Sequence, residues 1–314
     1  MRVSVIVAAY NVEEFIPRAI ASVLAQSYPS WEIIVVDDAS SDRTCDVVED
    51  FARRDARVHL LRHTSNGGPA AARNTGIEAA QGEWIAILDA DDAWRPHRLE
   101  KLLAAAASTG ANFIADNQIF YDVGLKREVG VAHDFSEECI QITAEEMFRS
   151  KNTMRFGEMK PLIRRSFINQ HDLRYNPAFR FGEDLYFYAE LLFSGAYAIL
   201  LAQPYYIYTT PFGFVSREKS AGCRTVNKLD ILLDGIDDLV EKHRTTLSPA
   251  LLSAIASYRA RTHRQWVFRE LTRLRHQHRI IPLALFTAAH PVHATSYIAQ
   301  SQTYRSFKSF LGIT

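Results

Sequence analysis

Asp89-Ala90-Asp91, followed at once by Asp92, closes the apolar run Trp84-Ile85-Ala86-Ile87-Leu88. Two carboxylates one residue apart project to the same side of an extended chain. A hard divalent cation such as Mn2+ or Mg2+ takes one or two carboxylates and keeps positions for phosphate oxygens, so the triplet suits a metal–diphosphate site. A solvated acidic turn capping the next helix has the same sequence, and context must decide. A second acidic pair, Asp37-Asp38, ends Val35-Val36 and runs into Ala39-Ser40-Ser41-Asp42. Carboxylates there can accept from a nucleobase imide N–H or a ribose hydroxyl, while Ser41 or Asp42 reads as a helix cap. A third piece, Asn66-Gly67-Gly68-Pro69-Ala70-Ala71-Ala72-Arg73, is a glycine turn feeding a small-residue helix that carries one arginine. Glycine lets backbone approach a ligand, and Arg73 could neutralise phosphate or orient a carboxylate. The fourth is Gly182-Glu183-Asp184, two acids opening a helix. The macrodipole alone favours acids there; the functional alternative is a general base across a cleft from the metal.

Redox dinucleotide chemistry and P-loop hydrolysis lose their usual signatures, since the chain has no GxGxxG and no GxxxxGK[ST]. The 314 residues are 47% hydrophobic, with 36 Lys+Arg against 36 Asp+Glu, an ordinary globular composition that excludes disorder, collagen and a disulfide scaffold. Cys45, Cys139 and Cys223 form no CxxC pair, and an odd count fits a reducing compartment, here read as the cytoplasm. The opening Met1 to Val7 reads as a strand rather than a secretory leader. The late apolar stretch Ile280 to Ala289, interrupted by Pro282, is well short of the roughly 20 residues a spanning helix needs.

Positioning these groups requires a scaffold. Val3 to Ala8, Glu32 to Asp37, Val58 to Arg62, Trp84 to Asp89 and Ala111 to Asp116 are β-branched and apolar on both faces, the pattern of buried parallel strands. Helical spacing fills the gaps at Glu13 to Gln26, Asp42 to Arg54, Pro69 to Ala80 and Arg98 to Thr109, with Pro96 as a start signal for the last. This is a doubly wound α/β pattern, and the polar groups just past the strands' carboxyl ends lie where such sheets bind ligands. Residues 117–181 are less regular; helical spacing resumes from Glu183 to Gly195, a Pro/Tyr-rich stretch covers Pro204 to Phe214, and long helices are expected over Cys223 to His243 and Pro249 to His278.

In this order the motifs resemble the family 2 glycosyltransferases, whose fold is the GT-A (Rossmann-like) nucleotide-diphospho-sugar transferase. Val3-Ser4-Val5-Ile6-Val7-Ala8-Ala9-Tyr10-Asn11, Val35 to Asp42, Ala72-Arg73-Asn74-Thr75-Gly76 with Gly82, Leu88-Asp89-Ala90-Asp91-Asp92 and Gly182-Glu183-Asp184 carry the likeness. Within the family the chain looks like bacterial succinoglycan-type exopolysaccharide glucosyltransferases. The resemblance implies a catalytic domain over 1–215, with a donor half to about 116 and an acceptor half from 117, and a helical extension over 216–314. It implies a UDP-sugar donor held by Ala9, Tyr10, Asn11, Asp37, Asp38, Gly67, Arg73, Asp89 and Ala90, with Asp38 facing the uracil. Asp91 would be the more direct ligand of Mn2+ or Mg2+, and Asp184 the base of a single inverting displacement onto a saccharide or polyprenyl-diphosphate-saccharide acceptor. The chain departs from the family in having Ala9 where proline is frequent and Ala39 where glycine is common. A silent nucleotide-sugar-binding scaffold is the competing reading, and both Asp91 and Asp184, whose loss would favour it, are present. A nucleotidyltransferase would want a Gly-rich basic loop after the first strand, where Ala9-Tyr10-Asn11 stands. His97, at a helix start after Pro96, and Lys160, ahead of Pro161 and Arg164-Arg165, stay outside the expected site.

From Arg244 to Thr314 there are ten Lys/Arg and one acid, Glu270. Arg259, Arg261, Arg264, Arg269, Arg273, Arg275 and Arg279 interleave with Tyr258, Trp266, Val267, Phe268, Leu271 and Leu274. Such a basic amphipathic helix suits the anionic inner face of the cytoplasmic membrane, or equally a face packed on the catalytic domain. No nucleic-acid-binding fold is recognisable.

Overall fold

The structure, a computed structural model, describes residues 1–134, 137–149, 156, 158–210, 229–276 and 280–293. Cys223, Arg279 and the distal ends of two expected segments, 211–214 and 277–278, lie outside the described residues, as do the side chains of Arg269 and Arg273.

Strands β1 (Val3–Ala9), β2 (Trp31–Asp37), β3 (Val58–Arg62) and β4 (Trp84–Ile87) alternate with helices α1 (Ile16–Leu24), α2 (Thr44–Arg54) and α3 (Pro69–Ala79). They lie in the parallel order β3-β2-β1-β4. Every residue of β2 is buried, because alternate side chains serve two cores. Ile34 and Val36 join Ile6, Ile85 and Ile87 on one face, while Ile33 and Val35 join Val5, Val7 and Trp84 on the other.

Past β4 the parallel pattern breaks. The two-residue strand β5 (Ala93–Trp94) and helix α4 (Arg98–Thr109) lead to β6 (Phe113–Asp122), which does not pair with β4. The later strand β9 (Leu162–Arg164) inserts between them, antiparallel to both. Leu162 and Ile163 are fully buried there, so the insertion is paid back in apolar area on both faces. Strands β7 (Arg127–Val131) and β8 (Cys139–Ile142), with helices α5 (Ala144–Arg149) and α6 (Arg165–Gln170), complete the irregular part, and α7 (Glu183–Phe193) follows. The Pro/Tyr-rich stretch is a strand rather than a loop over its described part: β10 (Ala198–Thr210) runs parallel to β6 through two register shifts around Pro204. A proline fits a sheet at such an irregularity, where no ladder N–H is needed.

The C-terminal helices α8 (Leu229–Lys242) and α9 (Pro249–His276) share the core of the preceding part, and α10 (Ile280–Ala289) packs on the far end of α9. Leu232, Leu233, Ile236 and Leu239 of α8 are buried with Leu185 and Tyr188 of α7. Tyr258 of α9 meets the Phe148 ring of α5 edge-on at 5.3 Å, and Arg261 donates to the Phe148 carbonyl (2.9 Å). Farther along, Val267, Leu271 and Trp266 pack on Leu283 and Phe286 of α10. The apolar stripe of the basic helix is thus covered by the protein itself. Exposed apolar side chains lie on and after α10, at Ile281, Leu285 and Val292, and on and beside β7, at Leu125, Val129 and Val131. No helix among the described residues is long and apolar enough to cross a membrane.

Candidate active site

The carboxyl ends of β1, β2 and β4 gather the expected residues along one edge. After β1, Asn11 takes a left-handed φ of 52°, which asparagine tolerates. Its amide N–H donates to Ser40 Oγ (2.9 Å) and its side-chain oxygen accepts from Ser41 N–H (2.8 Å), so Asn11 fastens the β2 loop. The Ala9 carbonyl accepts from Asp38 N–H (2.8 Å). Tyr10, half-buried, forms part of the same loop.

The two acids after β2 have different tasks. Asp38 accepts from Gly67 N–H (2.8 Å) and His63 Nδ1 (2.8 Å) at one oxygen and from Gly68 N–H (2.7 Å) at the other. It is the anchor of the glycine turn. Asp37 Oδ2 accepts from Ser40 N–H (3.0 Å) and the Cys45 thiol is hydrogen-bonded to the same carboxylate, whose buried Oδ1 meets no other donor among the described residues. Gly68 has φ 87°, and a Cβ there would fall on the Arg180 guanidinium. The left-handed backbone is what favours glycine here, since the Arg180 side chain can swing aside.

Asp89-Ala90-Asp91-Asp92 is not extended: Asp92 N–H donates to the Asp89 carbonyl (3.1 Å), so the chain turns, with the Asp89 carboxylate still close enough to act on that of Asp91. Strand β10 pins the turn. Tyr206 hydroxyl donates to Asp92 Oδ2 (2.7 Å) and accepts from Asp89 N–H (3.2 Å), Thr209 N–H donates to Asp92 Oδ1 (2.8 Å), and Thr209 Oγ1 and Arg18 both donate to the Asp91 carbonyl (2.6 and 2.9 Å). Ala90 is buried inside the turn.

Asp89 and Asp184 face one another across a closed ring of charge. Arg73 Nη2 donates to Asp89 Oδ1 (2.9 Å) and Nη1 to Asp184 Oδ1 (3.0 Å) and Glu183 Oε1 (3.0 Å). Lys160 Nζ closes the other side, 2.5 Å from Asp184 Oδ2 and 3.0 Å from Asp89 Oδ2. Each carboxylate thus gives one oxygen to each cation. Gly182, with φ 76° and Leu232 against its α-carbon, turns the chain so that α7 starts with Glu183 and Asp184 pointing into this ring.

The titrations follow the contacts. Burial works to raise the Asp89 carboxyl, but Lys160 and Arg73 outweigh it and hold it at about 2. Asp91, pushed by burial and then by Asp89, stands at about 6. Burial, then Asp91 and Asp89, raises Asp92, and burial with Asp184 raises Glu183. Burial would pull Lys160 and Arg73 down; Asp184 and Asp89 outweigh it and keep both cations protonated.

Asp91 is the residue that fits a divalent cation. It makes no ion pair among the described residues, and its raised titration marks a negative charge that the protein leaves uncompensated. No group of three or more metal-ligating side chains converges among the described residues. A hard cation can take one carboxylate and complete its shell with diphosphate oxygens and water. Both Asp89 oxygens are committed to cations.

His97 is exposed, near Ser27 and Glu100, and takes no part in the site. Lys160, left aside by sequence reasoning, is only 4% exposed and central to the site. Its one sequence signal was a lysine immediately before Pro161 and a buried apolar pair.

The model of glycosyl transferase family 2 matches residues 4–170, and the chain belongs to that family. It is 39% identical over 225 residues to the succinoglycan biosynthesis protein ExoO of Rhizobium meliloti, a match covering 68% of this chain and 62% of ExoO's own length. The succinoglycan biosynthesis protein ExoU of the same organism is 34% identical over 287 residues, covering 87% of this chain and 77% of ExoU. A shorter match, 41% over 115 residues, links 37% of the chain to 45% of Escherichia coli WfgD, a UDP-Glc:alpha-D-GlcNAc-diphosphoundecaprenol beta-1,3-glucosyltransferase. Among solved structures, S. aureus TarS 1–349 in complex with UDP-GlcNAc superposes with a TM-score of 0.68 at 20% identity, over 100% of this chain and 93% of that one. The fold is GT-A, and the chain is a glycosyltransferase.

Proposed function

We propose that the chain transfers a sugar, glucose in the first instance, from a UDP-sugar to a hydroxyl of a growing lipid-linked exopolysaccharide unit, with inversion at the anomeric carbon. The observation that carries this reading is the ring in which Asp184 faces Asp89 across Arg73 and Lys160, with the uncompensated Asp91 two residues beyond Asp89. WfgD's glucose donor and diphosphoundecaprenol acceptor, together with the succinoglycan relatives, supply the substrate classes.

In this reading the nucleoside lies over the Ala9-Tyr10-Asn11 loop, with Asp37, whose Oδ1 retains acceptor capacity, at the base and Asp38 holding Gly67 and Gly68 in place. Asp91 would hold Mn2+ or Mg2+, which when bound supplies the positive charge that makes the diphosphate a good leaving group. Arg73 and Lys160, each shared between Asp89 and Asp184, tie the donor-side turn to the proposed base. A carboxylate oxygen has two lone pairs, so Asp184 can keep both cations and still accept the acceptor hydroxyl's proton. The hydroxyl oxygen bonds to the anomeric carbon as the carbon–oxygen bond to the diphosphate breaks, and UDP leaves with that electron pair. One displacement with no carboxylate nucleophile inverts the centre, giving a β-linkage from an α-linked donor. For a lipid-linked acceptor, the exposed Ile281, Leu285 and Val292 are the apolar side chains the chain offers to a bilayer surface.

Calorimetry with UDP-glucose, UDP-N-acetylglucosamine, UDP-galactose and GDP-mannose, each with and without Mn2+, tests the reading. Metal-dependent binding of one UDP-sugar is expected; preference for GDP-mannose, or binding indifferent to metal, refutes it.

A further inference from the structure

The backbone that carries Lys160 is held as firmly as the donor-side turn it faces. Three successive carbonyls are fastened by side chains from three different elements. Gln118 Nε2 of β6 donates to Glu158 (2.8 Å), the Tyr188 hydroxyl of α7 donates to Met159 (2.7 Å), and Arg98 Nη2 of α4 donates to Lys160 itself. Gln118, Tyr188 and Arg98 are all buried. Arg98 is in turn fixed by Asp116 Oδ1 through Nε (2.9 Å) and Nη2 (2.7 Å), and lies over the Trp94 and Tyr206 rings. Tyr206 is the residue that pins the Asp89–Asp92 turn. The lysine backbone and the donor-side turn are therefore built on one frame.

A buried lysine is a poor way to gain stability, since an apolar residue of similar volume serves a core as well or better. What an ammonium adds is a point charge with three donors, and two of them reach Asp184 Oδ2 and Asp89 Oδ2, residues 95 positions apart in sequence. Arg73 alone would leave each carboxylate tethered at one oxygen and free to turn about its Cβ–Cγ bond. Lys160 removes that freedom, so the Asp184 oxygen that meets the acceptor hydroxyl is set relative to the donor.

We propose that Lys160 is a positioning residue of the transfer reaction, locking the Asp184 carboxylate in register with the donor-side turn. The inference rests on the glycosyl-transfer reading above. Displacing a reacting group by about 1 Å costs roughly 100-fold in rate, so Lys160→Met lowers kcat about 100-fold, while KM for the UDP-sugar stays within about threefold. Removing a cation beside the base also moves the acid limb of the pH–rate profile up by about one pH unit or more. Lys160→Arg keeps the charge and fails the geometry, so its acid limb stays in place while kcat remains depressed.

The assay is UDP release from UDP-glucose with Mn2+ and water as acceptor: water's oxygen bonds to the anomeric carbon, UDP departs, and the proton goes to Asp184. Native protein that neither binds nor turns over any UDP-sugar defeats the glycosyl-transfer reading and this inference with it. Native turnover, with kcat and acid limb unchanged in both folded variants, overturns the role of Lys160 alone. Should Lys160→Met fail to fold, Lys160→Arg decides: kcat within threefold of native refutes the positioning role.

Discussion

Replacing Asp91 by asparagine removes a charge that the metal-free protein is poorly equipped to hold. Its carboxyl titrates at about 6 instead of the ordinary 3.8, because burial and Asp89 both oppose ionisation. The folded state therefore retains a proton that the unfolded chain has already lost between about pH 4 and pH 6, and stability falls as pH rises through that window. Linkage gives a cost of about 0.5 kcal/mol at pH 4, growing to about 3 kcal/mol at pH 8. Asparagine keeps the volume and never ionises. Asp91→Asn is thus expected to be more stable than native by up to about 3 kcal/mol at pH 8, or about 5 °C in Tm for a chain of this size, with the difference shrinking to almost nothing by pH 4. Glu183, which Asp91 does not perturb, cancels in the comparison, whereas Asp92, raised in part by Asp91, is relieved in the variant and adds to the difference in the same direction. Thermal melts in chelator from pH 4 to pH 8 read this directly. Mn2+ at about 100 times its dissociation constant should raise native stability by roughly 2.7 kcal/mol and leave the variant unmoved. A variant that is less stable than native at pH 8 in chelator, or stabilised by Mn2+ as much as native is, refutes the assignment of Asp91 as the uncompensated ligand.

Asp184→Asn should keep Mn2+-dependent donor affinity within a few-fold, since its partners are the ring cations rather than the nucleotide, while turnover falls about 100- to 10,000-fold; loss of donor binding in calorimetry would disqualify it as the base. Ala39 holds a left-handed φ of 63° that a Cβ disfavours, so Ala39→Gly should stabilise the protein by about 1 kcal/mol in urea unfolding without altering donor affinity, and destabilisation would contradict the backbone argument. Ile281→Ser combined with Leu285→Ser should weaken partitioning onto vesicles containing anionic lipid while leaving donor binding intact; unchanged partitioning would remove α10 from any bilayer contact.

Sequence patterning exposed the donor half with little loss. Strands buried on both faces and helices of apolar spacing are local signals, and β1, β2, β3, α3 and α4 fall within one or two residues of where those signals put them. Asp37, Asp38, Asp89, Asp91 and Asp184 were visible because acids at the ends of such elements have no packing reason to be there. What stayed hidden depends on partners far away in the chain. That Asp38 anchors Gly67 and Gly68 is decided by backbone N–H groups about 30 residues on. Insertion of β9 between β4 and β6 reverses direction inside an otherwise parallel reading, and three residues carry no periodicity. Lys160 was hidden twice, by an irregular neighbourhood and because Arg98, its support, looks in sequence like the first residue of a surface helix.

The charge arrangement also constrains the order of events. Asp89, Asp91, Glu183 and Asp184 face two cations, Arg73 and Lys160, so with all four ionised the cluster carries two uncompensated negative charges. A diphosphate is itself anionic, and like charges about 4 Å apart repel by roughly 4 kcal/mol at the effective dielectric of a protein surface. Arg73 and Lys160 cannot relieve this repulsion, since their charge is already shared between Asp89 and Asp184. Donor binding at Asp91 without a divalent cation would therefore be opposed by about a thousandfold. On the proposed reading, donor and metal arrive together, and raising Mn2+ should lower the apparent donor dissociation constant until the site saturates. Donor affinity that rises on adding chelator, or that is the same in Asp91→Asn, would break this chain of reasoning at its first link.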